Sequence, residues 1–124
     1  MADTPQEPID AARSRLELAP DNVIVVHNYY YAKPGQQDAV YQWRLHASDV
    51  RARLGFSPGR VLRRLGDSDT QPDVIWECTY PDLAARQRDV RAVEATAEFQ
   101  AVMQHMRTLI NRFERQLWQH KASR

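Results

Sequence analysis

Asn28 is the residue of this 124-residue chain that most directly raises a chemical question. It lies within Val23-Ile24-Val25-Val26-His27-Asn28-Tyr29-Tyr30-Tyr31, a segment otherwise dominated by β-branched and aromatic side chains. An amide is both a donor and an acceptor without carrying charge, so in apolar surroundings it can hold a carbonyl, phenolate or peroxo oxygen. Bonded locally within a sheet, it would do none of this. Trp76, in Val74-Ile75-Trp76-Glu77-Cys78, offers a ring on which an aromatic ligand could stack, although a large ring on an apolar strand face is more often a core residue. His46 precedes Asp49 by three positions on a helical pattern, a spacing at which a carboxylate can fix the imidazole tautomer for general base work. Its place at the margin of the apolar stripe also suits a surface histidine. His27, among aromatic residues, reads as a packed hydrogen-bonding side chain, and His120 sits in the expected tail.

Other chemistries have no motif here. The four histidines are scattered and Cys78 is the single cysteine, so no metal site of His and Cys spacing is expected. With only four glycines, Gly35, Gly55, Gly59 and Gly66, there is no dinucleotide or phosphate loop. No serine or cysteine nucleophile has a positioned base. Arg60, Arg63 and Arg64 form a basic cluster that could attract a carboxylate or phosphate, or simply solvate an edge strand.

The elements that position these residues follow from periodicity. Val23 to Tyr31 is apolar on both faces and reads as a strand buried on both sides; helices can cover one face, and a partner subunit is needed for the other. Lys33-Pro34-Gly35 ends it. Val40, Trp43, Ala47, Val50 and Leu54 then recur at helical spacing, with Gln42, Arg44, Asp49, Arg51 and Arg53 placed mostly away from that stripe and Asp49 and Arg53 spaced for an i,i+4 pair. Gly55 supplies a stop. Gly59 to Gly66 alternates Val61 and Leu65 with Arg60 and Arg64, as an edge strand guarded by charge. A polar loop, Asp67 to Pro72, returns the chain into the Trp76 strand and makes a hairpin. Pro81 ends that strand, and Asp82 caps the next helix. Helical stripes run from Leu83 to Phe113, with Thr96 able to cap a second segment. Residues 111 to 118 satisfy both helical and strand periodicity. The order is β-α-β-β-α-(β), an α+β ferredoxin-like split βαβ sandwich: an antiparallel sheet with helices on one face.

Composition sets the remaining bounds. One domain, residues 22–119, is expected between a flexible or docking arm, residues 1–21, and a short tail, residues 120–124. The 17 basic and 16 acidic residues leave a formal charge of +1, which disfavours nucleic acid. No segment approaches the roughly 18–20 apolar residues of a membrane helix, and no signal-peptide core opens the chain. A lone packed thiol fits a reducing compartment, so a cytoplasmic location is expected.

With this order in place, the chain resembles the dimeric α/β barrel superfamily, and within it the NIPSNAP-like and antibiotic-biosynthesis-monooxygenase-like proteins. The resemblance covers about residues 22 to 119. It is carried by Tyr31-Ala32-Lys33-Pro34-Gly35, by the junction Trp76-Glu77-Cys78-Thr79-Tyr80-Pro81-Asp82-Leu83-Ala84-Ala85-Arg86, and by Ala95-Thr96-Ala97-Glu98-Phe99-Gln100. It implies a fourth strand over residues 112 to 119 and a homodimer formed face to face through the sheet side carrying Val25, His27, Tyr29 and Tyr31. It also implies a small apolar or aromatic ligand between sheet and helices, lined by Asn28, Tyr30, Trp43, Trp76, Cys78 and Met103.

Fold alone does not select a reaction. The resemblance suggests a cofactor-independent oxygenase or isomerase-like step in which Asn28 orients the substrate oxygen and His46 or Tyr30 moves a proton, with no metal. Two alternatives stand beside it: a non-catalytic dimeric interaction or stress-associated module, and a haem-binding protein with a non-standard ligand. The haem-degrading branch places an asparagine, a tryptophan and a histidine ligand where this sequence has Asn28, Trp76 and Met103; His105 lies about 200° further round the helix and does not substitute.

Overall fold

The density of β-branched and aromatic side chains from Asn22 onward builds the longest contact of the molecule, the central strand β1 (Asn22–Ala32). The computed structural model describes residues 22–121; the expected arm, residues 1–21, and residues 122–124 of the expected tail lie outside the described residues. After β1 come α1 (Gln37–Arg53), β2 (Arg60–Arg63), β3 (Val74–Tyr80), α2 (Leu83–Glu94), α3 (Ala97–Leu109) and β4 (Ile110–Lys121). The strands form one antiparallel sheet in the order β2-β3-β1-β4. This is the expected ferredoxin-like arrangement, with three helices rather than two because Thr96 breaks the last helical stretch.

The local reasons match the residues. Asp82 caps α2 by accepting from the Ala85 N–H at 2.7 Å, and Thr96 caps α3 by accepting from the Phe99 N–H at 3.3 Å. The ambiguous segment after Leu109 is strand, pairing with β1 along nearly its whole length. Its helical reading fails because pairing with β1 satisfies its backbone groups and places Phe113 and Leu117 on the same face as Tyr30 and Val26. β4 continues through Lys121, so His120 belongs to a strand and not to a tail. β2 is shorter than the Gly59–Gly66 expectation; Leu65 lies beyond it, 90% exposed.

Register decides which side chains meet. Asn28 pairs with Trp76 on β3 and with Arg115 on β4, while Val61 of β2 pairs with Trp76 on its other side. Directly opposed residues share a face, so Ile24, Val26, Asn28, Tyr30, Val74, Trp76, Cys78 and Tyr80 all point toward the helices, and all are buried. All but Asn28 form one hydrophobic core cluster with Val40, Leu83 and Met106. A second cluster, Ala47, Val50, Val93, Phe99 and Val102, joins the helices to one another. Trp43 packs against both clusters, and its indole N–H donates to the Val102 carbonyl at 2.8 Å.

The opposite face of the sheet is only half covered in the single chain. Val25, His27, Tyr29, Tyr31 and Ile75 are partly exposed there, and Trp118 is 51% exposed beside the His27 ring at 6.4 Å. Glu77 is the charged centre of this face: His27 Nε2 lies 2.8 Å from one carboxylate oxygen, and Arg60 Nε donates to the other at 2.8 Å.

The His27 hydrogen bond, and then that from Arg60, hold the Glu77 carboxyl below its ordinary value. A carboxyl depressed in the folded state contributes stability above its unfolded pKa of about 4.3 and loses that contribution as pH falls through the lower folded value. Replacing Glu77 by Gln therefore costs less than about 1 kcal/mol at neutral pH, since Arg60 is mostly solvated. Urea unfolding midpoints of the two proteins should draw together as pH falls from about 4.3 through the lower folded value; a difference constant with pH would show that the ion cluster does not hold this face.

Candidate functional site

α1 presents two arginines to the sheet at the centre of its buried face. Val40, Arg44, Ala47 and Arg51 succeed one another at spacings of four, three and four residues, and all four are buried. This corrects the expectation that Arg44 and Arg51 lie away from the apolar stripe. The Arg44 guanidinium carbon stands 4.7 Å from the centroid of the Trp76 ring, and that of Arg51 stands 4.9 Å from it, both within cation–π range. The expected Asp49 and Arg53 pair is not formed; Arg53 instead bridges to Glu98 on α3.

Trp76 is fixed edge and face. Its indole N–H donates to the Pro58 carbonyl at 2.8 Å, and the Ser48 hydroxyl donates to the same carbonyl at 2.8 Å. The loop can run this close because Gly59, at φ +66°, has no side chain: a Cβ there would sit 2.6 Å from Trp76 Cε2 and 2.7 Å from the Glu77 carbonyl oxygen.

A cavity of about 800 Å³ opens between the sheet and the helices. Val26, Asn28, Tyr30 and Trp76 form its floor, and Arg44, Arg51 and Arg86 line its buried wall. Phe99, Met103 and Val93 add an apolar side from α2 and α3. The exposed lining residues, among them Glu94, Gln100, Arg107, Phe113 and Arg115, lie at the ends of α2 and α3 and on β4, and they frame its mouth.

The polar groups of this cavity differ in how fully they are paired. Arg51 Nη2 donates to both oxygens of Asp89 at 3.0 and 2.8 Å, and its Nε donates to the Ser57 carbonyl at 2.6 Å. The Tyr80 hydroxyl donates to Asp89 at 2.6 Å. Burial, and then that bond to Asp89, push the Tyr80 hydroxyl pKa well above its ordinary value, so it stays a neutral donor. Asn28 accepts from Arg115 Nε at 2.8 Å. Arg44 is different. It is 2% exposed, and its Nε and Nη1 have no hydrogen-bond partner among the described residues. Burial pushes the Arg44 guanidinium down from its ordinary value, with Tyr30 opposing the shift.

Of the residues singled out from the sequence, Asn28, Tyr30, Trp76 and Met103 line the cavity together. Trp43, His46 and Cys78 do not line it. Trp43 is an inter-helix tie, and His46 is exposed, with its ring 4.7 Å from the outer side of that indole. Cys78 is buried in the sheet core, with Sγ 3.7 Å from the Ser57 hydroxyl. His105 is likewise exposed and rests its ring 4.3 Å from Trp43. The basic cluster at β2 and just beyond it is engaged internally: Arg60 with Glu77, Arg63 with Asp38 and Arg64 with Asp73. No group of three or more His, Cys, Asp or Glu placed to share a metal ion occurs among the described residues, and no helix among them is long and apolar enough to cross a membrane.

Arg44, Arg51, Arg86 and Asp89 were missed by reading the sequence. The seven-residue spacing of Arg44 and Arg51, in phase with Val40 and Ala47, was the available signal. Arg86 carried the same signal, since Leu83, Arg86, Val90 and Val93 follow one another at three, four and three residues; for Asp89 there was none.

No protein-family model and no curated protein matches the sequence. The likeness is to solved structures. A NIPSNAP family protein from Agrobacterium tumefaciens str. C58 superposes with a TM-score of 0.58 at 18% identity, over 77% of this chain and 90% of that one. A second NIPSNAP family protein of unknown function from the same bacterium gives 0.58 at 12% identity, over 82% and 89%. A dimeric protein of unknown function with a ferredoxin-like fold from Bacteroides fragilis NCTC 9343 gives 0.56 at 10% identity, over 80% and 95%. The chain has the ferredoxin-like fold of these proteins, the fold expected of a dimeric α/β barrel subunit.

The close approach at Gly59 can be tested directly. Gly59→Ala combines a left-handed backbone, costly for any residue with a Cβ, with contacts against a fixed ring and a backbone carbonyl. The expected loss is about 2–4 kcal/mol in denaturant unfolding; a loss under about 0.5 kcal/mol would mean that the loop does not hold Trp76.

Proposed function

We propose that this protein is a NIPSNAP-like subunit that binds a small molecule in the cavity between its sheet and helices and assembles as a homodimer through the open sheet face. One observation carries the first part: a cavity of about 800 Å³ with Asn28, Tyr30 and Trp76 on one floor. That size suits a ligand of two or three fused rings, and apolar walls with a few convergent polar groups are the usual build of a ligand site. Trp76 offers the stacking surface. Asn28 spends its carbonyl oxygen on Arg115, which turns its NH₂ toward use as a donor to a ligand oxygen. The Tyr30 hydroxyl, on the same floor, is the proton-moving group of an oxygenase-like or isomerase-like step; His46, on the outer surface, has no part in it.

The purely structural alternative, in which the Trp76 face is solid core serving dimerisation alone, is not supported by a void of this size. The dimer rests on the half-covered face itself. Val25, Tyr29, Tyr31, Ile75 and Trp118 together leave an apolar surface of the kind that marks an interface.

Two measurements test this reading. Thermal unfolding against a panel of aromatic and polyketide-like compounds should show at least one that raises Tm by on the order of 10 °C at a hundredfold excess over Kd. Trp76→Ala should abolish that rise. Light scattering at micromolar concentration should give about twice the 14.4 kDa chain mass, shifting to monomer in Trp118→Glu. No stabilising compound removes the ligand site, and a wild-type monomer removes the dimer.

A further inference from the structure

Every buried cation in a folded protein needs an answer to its charge, because removing a guanidinium from water costs several kcal/mol unless an anion and hydrogen bonds replace the lost hydration. Arg51 has both, through Asp89 and the Ser57 carbonyl. Arg44 has neither in full. The Trp76 ring lies beneath it at 4.7 Å, but a π face answers part of the charge and accepts no in-plane N–H. The carboxylates of the cavity do not reach it either. Asp89 is engaged by Arg51 and Tyr80, and Glu94 stands exposed at the mouth. Across the whole lining there are five arginines and two carboxylates, Asp89 and Glu94.

We infer that the ligand of this cavity is a monoanion whose oxygens, those of a carboxylate or of an ionised enol or phenol, sit against the Nε and Nη1 of Arg44, with an apolar ring system running from Trp76 toward Phe99 and Met103. This rests on the cavity being a ligand site, and it sharpens the class of molecule: charged at one end and flat and apolar at the other, where the sequence had suggested an apolar or aromatic ligand only. Arg44 is then a binding residue. The cation that destabilises the free protein is the group that selects the ligand, since a neutral analogue leaves the same two donors unpaired. One unanswered arginine at the buried end suits a single negative charge. The position also bears on chemistry. An enolate or phenolate held by Arg44 lies beside the Tyr30 hydroxyl and the Asn28 amide on the cavity floor, the groups through which a proton would move.

The test compares 2-naphthoate with 2-naphthamide, one ring system with and without charge, by titration calorimetry on the full-length protein and on Arg44→Met and Arg44→Lys. The naphthoate should bind wild type at least tenfold more tightly than the amide. Arg44→Met should lose that preference while keeping the weaker amide binding, and Arg44→Lys should retain part of it. Without ligand, Arg44→Met should melt at or above the wild-type temperature, because it removes an uncompensated charge and keeps the volume. Equal binding of acid and amide to wild type, or a preference that survives in Arg44→Met, overturns the anion while leaving the cavity as a ligand site. Binding of neither compound overturns both, and a ligand-free Arg44→Met that melts several degrees lower marks Arg44 as structural and overturns the inference.

Discussion

Trp76 is the side chain around which the rest of this structure is arranged. It sits midway along β3, where Asn28 opposes it from β1 and Val61 from β2. Its N–H is tied to the Pro58 carbonyl, its edge is pressed by a glycine, and Arg44 and Arg51 stand over its ring. Each constraint comes from a different element: the sheet, the α1–β2 loop and α1. A ring so held cannot turn. It therefore sets the distance at which α1 lies above the sheet, and with that the depth of the cavity.

The two core clusters explain why a cavity exists in so small a domain. Sheet and helices could close on one apolar core, but the α1 face that meets the sheet carries two guanidiniums in line with Val40 and Ala47. These side chains line the space between helices and sheet, and Tyr80 and Asp89 add polar atoms to it. Buried charge is a poor means of gaining stability and a good one of holding a ligand. Retaining Arg44 without a full set of partners is what local stability alone would select against, so the violation points to function.

The open sheet face works by a different balance. Its apolar side chains are interrupted by a short ion cluster, His27, Glu77 and Arg60, near the middle. An interface built there has a hydrogen-bonded centre and an aromatic margin at Trp118. In the proposed dimer such an arrangement would fix orientation between two copies better than a uniformly greasy surface, because charged groups matched in one register are mismatched in others.

The order of elements was legible in the sequence because it depends on local rules. The density of β-branched and aromatic residues marked β1 and alternation marked β3, and the two-residue period of a strand told which of their residues share a face; Pro81, Asp82 and Thr96 marked where helices begin; Asn28 and Trp76 were identified as companions on one side. Those rules act within a few residues. Three things were beyond their reach. The fate of residues 110–121 depended on pairing with β1, nearly ninety residues away at Asn28 and Arg115, and periodicity alone permitted two answers. The burial of Arg44, Arg51 and Arg86 depended on how close α1 and α2 come to the sheet, and a charged residue on a helix is assigned to solvent until that distance is known. The character of the pocket followed from those two: an apolar niche by composition, it becomes cationic once long-range packing brings two arginines of α1 over one tryptophan and Arg86 of α2 to the same cavity. Sequence alone determined the first three strands, the caps and the shared face; the tertiary structure decided the last strand and the charge of the space between sheet and helices, because long-range pairing and electrostatics depend on distances in space that the spacing of residues along the chain does not set.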